Sequence, residues 1–257
     1  GESVVMRLLD QSSGKLDLNK VGMPADILQR FRTIIKKPPG MVLVTGPTGS
    51  GKTTTIYGAL NEPNHPEKKI ITVEDPVEYR LPRINQVQVN TKVGLTFSRV
   101  LRTALRQDPD IVLIGEMRDQ ETAEIGLRAS ITGHLVLSTL HTNDAPQTLA
   151  RLVNIGVAPY NIANAVNLII AQRLARRLCK NCKAVEDVAR GALIEEGFPE
   201  DPVDGLKIYK AVGSDQGNEG YKGRVGIDQV LPITEEIGTI IMQGGDASDP
   251  TDQAQKE

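Results

Sequence analysis

The sequence predicts an α/β fold in which a parallel β-sheet is covered by helices and a small subdomain is appended towards the C-terminal end. Two observations predict the main fold. Strand-sized apolar runs alternate with stretches in which apolar residues recur at helical spacing, a pattern typical of repeated βα units. Aromatic residues make up only 3% of the 257 residues and Trp is missing. The core must therefore be built from Val, Ile, Leu and Ala, which suits a doubly covered parallel sheet.

The predicted elements follow one another along the chain. Apolar residues recur at helical spacing over residues 24–37, where Pro24 fits the first turn and Pro38-Pro39-Gly40 ends the helix. Alternating Gln and Val predict a short extra strand at residues 86–89, and the apolar stretch 161–178 is predicted to be helical. The remaining strands are predicted at 41–45, 70–73, 111–114 and 135–139, and the remaining helices at 53–60, 97–106, 121–131 and 147–155.

Composition divides the chain into a main domain (21–178), an appended subdomain (179–243) and a tail (244–257). After residue 178 the sequence becomes rich in Lys, Asp, Glu and Gly, and the βα alternation stops. The tail is rich in Gly, Asp, Gln and Ser without apolar periodicity, so we expect it to be disordered.

Charge and hydropathy exclude several kinds of partner. A formal net charge of -2 gives no general attraction to polyanions, so no nucleic-acid partner is expected. The longest apolar runs are far shorter than the roughly 20 residues of a membrane span, so no direct membrane insertion is expected. The chain starts at Gly1 without a charged-then-apolar leader, which favours a cytoplasmic location.

A glycine-rich G-x-x-x-x-G-K-T pattern lies between a predicted strand and a predicted helix. Its glycines allow backbone N–H groups to approach phosphates, and the helix presents its N-terminus to them. Lys52 is expected to meet the β and γ phosphates of ATP, and the Thr53 hydroxyl to bind Mg²⁺. The alternative is a glycine-rich turn with an incidental lysine. The predicted phosphate-binding residues are Gly46, Pro47, Thr48, Gly49, Ser50, Gly51, Lys52, Thr53 and Thr54.

Two glutamates follow predicted parallel strands, Glu74 and Glu116. Because ligands of open α/β sheets bind beyond the carboxyl ends of the strands, both acids are expected to face the nucleotide. They could polarise the attacking water and hold hydrated Mg²⁺, Glu116 through a water molecule, with Asp75 and Glu78 assisting. The acids at the opposite end of the next strand are interpreted as loop or helix-terminal residues: Asp108 and Asp110.

Two histidines bracket the predicted strand 135–139, His134 before it and His141 after it. Only His141 can approach the phosphates if the strand is parallel to its neighbours, so His141 is the candidate sensor of the γ phosphate. A capping or structural role is the alternative. His65 is predicted to be merely exposed.

Five motifs follow one another along the chain: Gly46 to Thr53, Ile71-Thr72-Val73-Glu74-Asp75-Pro76, Leu105-Arg106-Gln107-Asp108-Pro109-Asp110, Gly115-Glu116-Met117-Arg118-Asp119, and Thr132-Gly133-His134 with Ser138-Thr139-Leu140-His141-Thr142-Asn143. Together they resemble the motifs of the secretion ATPase superfamily of type II secretion and type IV pilus assembly. The similarity extends from Gly1 to about Ile241, and residues 1–30 and 91–124 resemble an MSHA-type pilus extension ATPase in particular.

This resemblance implies a RecA-like P-loop core in a homo-hexameric ring that hydrolyses ATP with Mg²⁺. Such a motor would act on an inner-membrane platform protein, at the inner membrane through its partners, to drive pilin polymerisation or type II protein secretion. Glu74 and Asp75 match the family's acidic box, where a glutamate activates water, and Glu116 matches its atypical Walker B acid. His134 and His141 match its histidine box, which makes His134 a candidate nucleotide-binding residue as well.

The resemblance also makes residues 1–20 the remnant of a preceding N-terminal domain. With most of that domain missing, low activity and weak assembly are expected for this chain. Arginines acting across subunits are expected to stabilise the transition state. Arg7, in the remnant, is the first candidate, followed by Arg99 and Arg106; each could equally be a surface or helix-end charge.

Assembly-type members carry a zinc subdomain made of two C-x-x-C pairs, and this chain has only Cys179 and Cys182. Ser214 and Gly217 stand where the second pair is expected. Because structural zinc needs four ligands, we expect no zinc and interpret the pair as vestigial. The alternative is a weak two-ligand site.

The sequence leaves three alternative hypotheses about function. A pilus retraction ATPase is disfavoured by the C-x-x-C remnant and by residues 221–233. A nucleic-acid translocating ATPase is supported only by the basic run 173–183, which is also typical of a solvated helix end. A non-catalytic, nucleotide-gated assembly module is disfavoured because Lys52, Thr53, Glu74 and Glu116 are all present.

Overall fold

The computed structural model describes residues 3–6, 16–36, 39–198, 206–213, 219–244 and 249–256. The chain forms two compact units: the first comprises Gly1–Arg173 and Gly226–Glu257, and the second Leu174–Val225. The described strands are β1 Gly40–Thr45, β2 Ile70–Glu74, β3 Asn85–Gln88, β4 Ile111–Ile114, β5 Leu135–Leu140, β6 Val166–Leu178, β7 Lys183–Glu186, β8 Ile208–Ala211 and β9 Tyr221–Pro232. The described helices are α1 Ala25–Ile35, α2 Lys52–Asn61, α3 Phe97–Leu105, α4 Gln120–Ile131, α5 Ala145–Asn154, α6 Pro159–Ala165, α7 Arg190–Glu195, α8 Glu235–Met242 and α9 Asp249–Lys256.

The first unit is built on a sheet with the strand order β3-β2-β4-β5-β1-β6-β9. The pairings from β3 through to β6 are parallel, which confirms the predicted α/β fold and the extra strand at residues 86–89. The carboxyl ends of β2, β4, β5 and β1 therefore meet along one edge of the sheet. In an open α/β sheet this is the edge where ligands bind.

Two hydrophobic cores lie on opposite faces of the sheet. Strand β1 is buried along its whole length; Met41 and Leu43 enter one core, and Val42 and Val44 the other. Residues of α3, α4 and α5 complete the first core, and residues of α1 and α2 the second. Burying each such aliphatic side chain contributes about 1.5–3 kcal/mol, so burial on both faces fixes β1, and the loop that follows it, at the centre of the unit.

Side-chain caps define where two of the covering helices begin. Asp119 accepts a hydrogen bond from the Thr122 backbone N–H at 2.8 Å before α4, and Asp144 accepts one from the Gln147 N–H at 2.7 Å before α5. Such caps stabilise a helix by about 1 kcal/mol. Both helices therefore start close to the carboxyl ends of β4 and β5.

The predicted helix at 161–178 is wrong beyond residue 165. Helix α6 ends at Ala165, and β6 follows directly and pairs in parallel with β1, Met41 opposite Val166 and Thr45 opposite Ala171. A continuous apolar run does not distinguish a buried strand from a buried helix. Here the β-branched residues Val166, Ile169 and Ile170, all buried, fit the sheet.

Two boundaries also differ from those predicted. Residues 226–243 belong to the first unit rather than to the appended one. The expectation of a disordered tail is wrong for residues 249–256, which form α9, because Ala254 packs against the core. This mostly polar helix contacts α5 and α8, and such tertiary contacts leave no apolar periodicity in the sequence.

The second unit contains a two-stranded antiparallel sheet, in which β7 pairs with β8 from Lys183 opposite Ala211 to Glu186 opposite Ile208. A cation–π contact places Lys183 Nζ 3.9 Å from the Tyr209 ring centre. Across the described ranges, no helix combines the length and the apolar character that crossing a membrane requires.

Candidate functional site

The glycine-rich loop connects the end of β1 to the start of α2, as predicted. Gly46 has φ +141°, and a Cβ there would lie 2.2 Å from the Gln172 backbone oxygen. Gly51 has φ +92° and immediately precedes α2. Only glycine adopts such backbone conformations without strain. The amides of a glycine-rich loop of this kind, together with the N-terminus of the helix that follows, suit an anion.

Within this loop, Pro47, Thr48 and Gly49 are exposed, whereas Ser50 is buried. The Ser50 hydroxyl has no hydrogen-bond partner among the described residues. Thr54, in the first turn of α2, is exposed. The outer face of the loop is thus open to a ligand, while its base is packed into the unit.

Lys52 is the buried cation of the site, with 9% of its surface exposed. Its ammonium donates hydrogen bonds to the carbonyl oxygens of Gly46 at 2.7 Å and Pro47 at 3.1 Å. Burial lowers the pKa of Lys52, and the carboxylates of Glu116 and Glu78 oppose that effect. Both acids are therefore close enough to act on the cation that is expected to meet the phosphates.

A line of polar contacts runs from the loop across the carboxyl edge of the sheet. Lys52 Nζ lies 3.5 Å from His141 Nδ1, and His141 Nε2 lies 3.6 Å from Glu116 Oε1. Glu116 Oε2 accepts a hydrogen bond from Arg118 Nε at 2.8 Å, and Arg118 lies 3.6 Å from Asp75. The structure thus brings together Lys52, His141, Glu116 and Asp75. Sequence reasoning gave Arg118 no role, although its place two residues after Glu116 in the motif was a signal.

Glu78 contacts the predicted magnesium ligand directly: the Thr53 hydroxyl lies 3.3 Å from Glu78 Oε1, as donor to acceptor. Hydroxyl and carboxylate oxygens are the donors that Mg²⁺ prefers, usually together with phosphate oxygens and water. Among the described residues, no group of three or more His, Cys, Asp or Glu side chains could hold a metal ion by itself. The oxygen ligands among the described residues therefore fit a Mg²⁺ ion that binds together with the nucleotide. They do not form a site that holds a metal ion through protein side chains alone.

Glu74 ends β2 at the same edge but is almost completely buried, with 4% of its surface exposed. Its carboxylate accepts hydrogen bonds from the hydroxyls of Tyr57 and Thr72 and, at 3.3 Å, from the Gln86 amide. A Cβ at Gly115 would lie 3.2 Å from Glu74 Cα, so the chain leaving β4 towards Glu116 passes tightly beside Glu74. Glu74 therefore lies beside the series of contacts from Lys52 to Asp75, but it makes none of those contacts itself in the described structure.

His134 lies at the other edge of the sheet. It precedes β5, and its Nδ1 is 2.7 Å from the Pro109 carbonyl oxygen. Six residues of β5 separate it from His141, a rise of about 20 Å. Strand geometry therefore places His134 at the edge opposite the phosphate loop, and its part in nucleotide binding stays a prediction.

Asp110 lies at that edge too, paired with Lys68 at 2.9 Å. The hydrogen bond from Lys68 lowers the pKa of Asp110, in agreement with its interpretation as a loop acid. Arg99 and Arg106 are exposed on and after α3, and Arg99 donates to the Gly94 carbonyl oxygen at 3.3 Å. Arg7 lies outside the described residues.

The C-x-x-C pair of the second unit is buried, with Cys179 Sγ and Cys182 Sγ 3.1 Å apart. The Cys179 N–H donates to the Gly220 carbonyl oxygen, and the Val212 N–H to that of Cys182. Ser214 and Gly217 lie outside the described residues, so the absence of zinc stays a prediction.

A family model described as "Type II/IV secretion system protein" matches residues 1–257. The chain is 51% identical over 257 residues to a protein of Pseudomonas aeruginosa named type IV pilus assembly ATPase PilB, covering 100% of this chain and 45% of that protein. It is 47% identical over 242 residues to the type II secretion system ATPase E of Vibrio cholerae, covering 94% of this chain and 48% of that protein.

Among solved structures, a crystal structure of the pilus retraction motor PilT with bound ADP superposes with a TM-score of 0.65 at 31% identity. That superposition covers 93% of this chain and 57% of the PilT chain. The chain spans about half the length of the curated relatives it matches.

Proposed function

The chain belongs to the type II/IV secretion system protein family, and we propose that it binds Mg-ATP and hydrolyses it to drive pilin polymerisation or type II protein secretion. The observation that carries this proposal is the contact line from Lys52 through His141 to Glu116. It links the phosphate-binding loop to a strand-end carboxylate, which a passive glycine-rich turn does not require.

Each residue of the site has a part in this proposal. The loop amides and Lys52 would hold the triphosphate, and Thr53, Glu116 and Glu78 would hold the accompanying Mg²⁺. Bound there, the ion would offset the charge that develops as the γ phosphate departs. His141, between Lys52 and Glu116, would respond to the presence of the γ phosphate. Arg118 would orient Glu116 from the side away from His141.

Glu74 is the proposed water-activating residue. An ionised carboxylate has about four acceptor positions, and three are used by the described donors Tyr57, Thr72 and Gln86. Oε1 receives two of these donors and Oε2 one, so Oε2 retains an acceptor position for a water proton.

The partners belong to the same proposal. A cytoplasmic homo-hexamer acting on an inner-membrane platform protein would convert hydrolysis into fibre growth or export, with Arg7, Arg99 or Arg106 reaching the neighbouring subunit's nucleotide. Assembly or secretion is preferred to retraction, because the relative named as an assembly ATPase is 51% identical and the retraction motor 31% identical.

Glu116→Gln tests the proposal, because it keeps the shape of the side chain and removes its charge. We expect the variant to bind Mg-ATP like the unaltered chain while single-turnover hydrolysis falls about 100-fold. Glu67→Gln is the matched control, since Glu67 is exposed and lies outside the site. Hydrolysis by Glu116→Gln at the rate of the Glu67→Gln control would contradict the proposed ATPase mechanism.

A further inference from the structure

A buried tyrosine connects the phosphate-loop helix to the proposed water-activating acid. Tyr57 lies on α2, four residues after Thr53, and only 1% of its surface is exposed. Its hydroxyl donates a hydrogen bond to Glu74 Oε2, and Glu74 closes β2 with 4% of its surface exposed. Residues four apart on a helix lie on the same face. Tyr57 is therefore one helical turn from the predicted magnesium ligand and in contact with the acid.

The two carboxylate oxygens of Glu74 are held unequally. Thr72 donates to Oε1 at 2.5 Å and Gln86 to Oε1 at 3.3 Å, and both residues lie on strands of the sheet. Oε2 receives the Tyr57 hydroxyl alone among the described donors. The oxygen that retains an acceptor position for water is thus the oxygen that Tyr57 fixes.

Tyr57 is suited to remain a donor in this position. Burial, followed by the hydrogen bond to Glu74, raises the pKa of Tyr57 well above its ordinary value of 10.0, so the phenol keeps its proton throughout the physiological range. Its ring is held edge-on against Tyr79, with ring centres 6.1 Å apart and planes at 79°. Such an arrangement is a favourable one for aromatic pairs and restricts the direction of the hydroxyl.

We propose that Tyr57 is a positioning residue for hydrolysis, whose hydroxyl sets the orientation of Glu74 Oε2 towards the attacking water and ties that orientation to the helix that follows the phosphate loop. This inference rests on the proposed function, because it requires the chain to hydrolyse ATP through Glu74. A residue that only fills the core would need the ring and not the hydroxyl.

Tyr57→Phe removes the hydroxyl and keeps the ring. In single-turnover assays with Mg-ATP, we expect the maximal rate to fall at least about tenfold, because small misplacements of catalytic groups are costly. The concentration of ATP needed for half-saturation should change less than about threefold, since the described hydrogen bond of the Tyr57 hydroxyl goes to Glu74 and not to the phosphate loop. Tyr160→Phe is the control, because it removes the hydroxyl of an exposed tyrosine on α6 that lies outside the site, and it should leave both quantities unchanged.

A double variant separates positioning from packing. If Tyr57 acts through Glu74, then Tyr57→Phe with Glu74→Gln should be no slower than Glu74→Gln alone, because effects within one contact are not additive. Thr72→Val, which removes a donor to Oε1, should slow turnover less than Tyr57→Phe. Thermal unfolding of each variant shows whether the fold is retained.

The outcomes distinguish this inference from the proposed function. Tyr57→Phe turning over at the unaltered rate, or adding its full effect to Glu74→Gln, would overturn the positioning role while leaving ATP hydrolysis in place. Glu74→Gln turning over normally would remove both Glu74 and Tyr57 from the mechanism. No hydrolysis by the unaltered chain, with or without a platform partner, would overturn the proposed function itself.

Discussion

Lys52 Nζ and His141 Nδ1 lie 3.5 Å apart although 89 residues separate them in the chain. The sheet produces this contact: β1 and β5 are parallel neighbours with Thr45 opposite Leu140, so the loop after β1 and the histidine after β5 emerge side by side. The lysine that is expected to bind phosphate and the imidazole of His141 thus lie at the same edge of the sheet.

Removing the imidazole should uncouple the phosphate loop from Glu116. We expect His141→Ala to lower the single-turnover rate about 10- to 100-fold and to change ATP affinity by less than about fivefold, because Lys52 keeps its contacts with the loop carbonyls. Rapid-quench measurement of phosphate release, with a fluorescent ATP analogue for affinity, separates the two effects. His65→Ala is the matched control, since His65 is exposed and outside the site. Equal rates for the two variants would contradict a role for His141.

Gly46→Ala should damage both binding and stability. The new methyl group would lie 2.2 Å from the Gln172 carbonyl oxygen at φ +141°, and we expect a loss of about 2–3 kcal/mol in the free energy of unfolding. Gly133→Ala is the comparison, because Gly133 also has positive φ but has no atom within 4 Å of its added Cβ, so about 1 kcal/mol is expected there. Urea unfolding measures both, and equal losses would refute the steric explanation.

Glu78→Gln should raise the concentration of Mg²⁺ required for half-maximal hydrolysis, because it weakens the acceptor next to the Thr53 hydroxyl. We expect about a three- to tenfold increase at fixed ATP, corresponding to about 1 kcal/mol. A magnesium titration of the hydrolysis rate measures it, with Glu67→Gln as control. An unchanged magnesium requirement would place Glu78 outside the metal site.

Asp228 predicts a pH dependence of stability. Burial raises the pKa of Asp228 from 3.8 to about 6, and neither carboxylate oxygen has a hydrogen-bond partner among the described residues. The folded chain therefore binds this proton more tightly than the unfolded chain. The protonated Asp228 carboxyl therefore favours the folded state at low pH. This contribution to the free energy of unfolding is lost as the pH rises from about 4 through about 6.

Asp228→Asn removes that dependence. Above pH 6 the variant should be more stable than the unaltered chain by about 1–2 kcal/mol, allowing for partial exposure to solvent, and at pH 4 the difference should shrink. Urea unfolding at pH 5 and 7.5 tests this. A variant that is less stable at pH 7.5 would show that Asp228 has a stabilising partner.

The sequence was sufficient to predict the parallel sheet and the position of the phosphate loop, because apolar periodicity and glycine spacing are local properties. It also placed His141 correctly at the loop's edge. It failed for residues 166–178, since a buried central strand and a buried helix both consist of continuous apolar residues.

The sequence could not predict which way the side chains at the strand ends point. Glu74 and Glu78 lie four residues apart in the acidic motif, yet Glu74 is enclosed by Tyr57, Thr72 and Gln86, whereas Glu78 contacts Thr53. Glu74 is buried because Tyr57 on α2 and Gln86 on β3 donate hydrogen bonds to it. Such tertiary contacts produce no local pattern in the sequence. The same holds for Arg118, whose position between Glu116 and Asp75 depends on the β2–β4 pairing.

The assignment of the glycine-rich loop as a nucleotide site is tested most directly by the affinity of the chain for Mg-ATP with and without the Lys52 ammonium. Isothermal titration of the unaltered chain, Lys52→Ala and the exposed control Lys68→Ala should give similar affinities for the unaltered chain and the control, and at least about a tenfold loss for Lys52→Ala. Equal affinity of all three proteins for Mg-ATP, or no binding by the unaltered chain, would contradict the assignment of this loop as a nucleotide site.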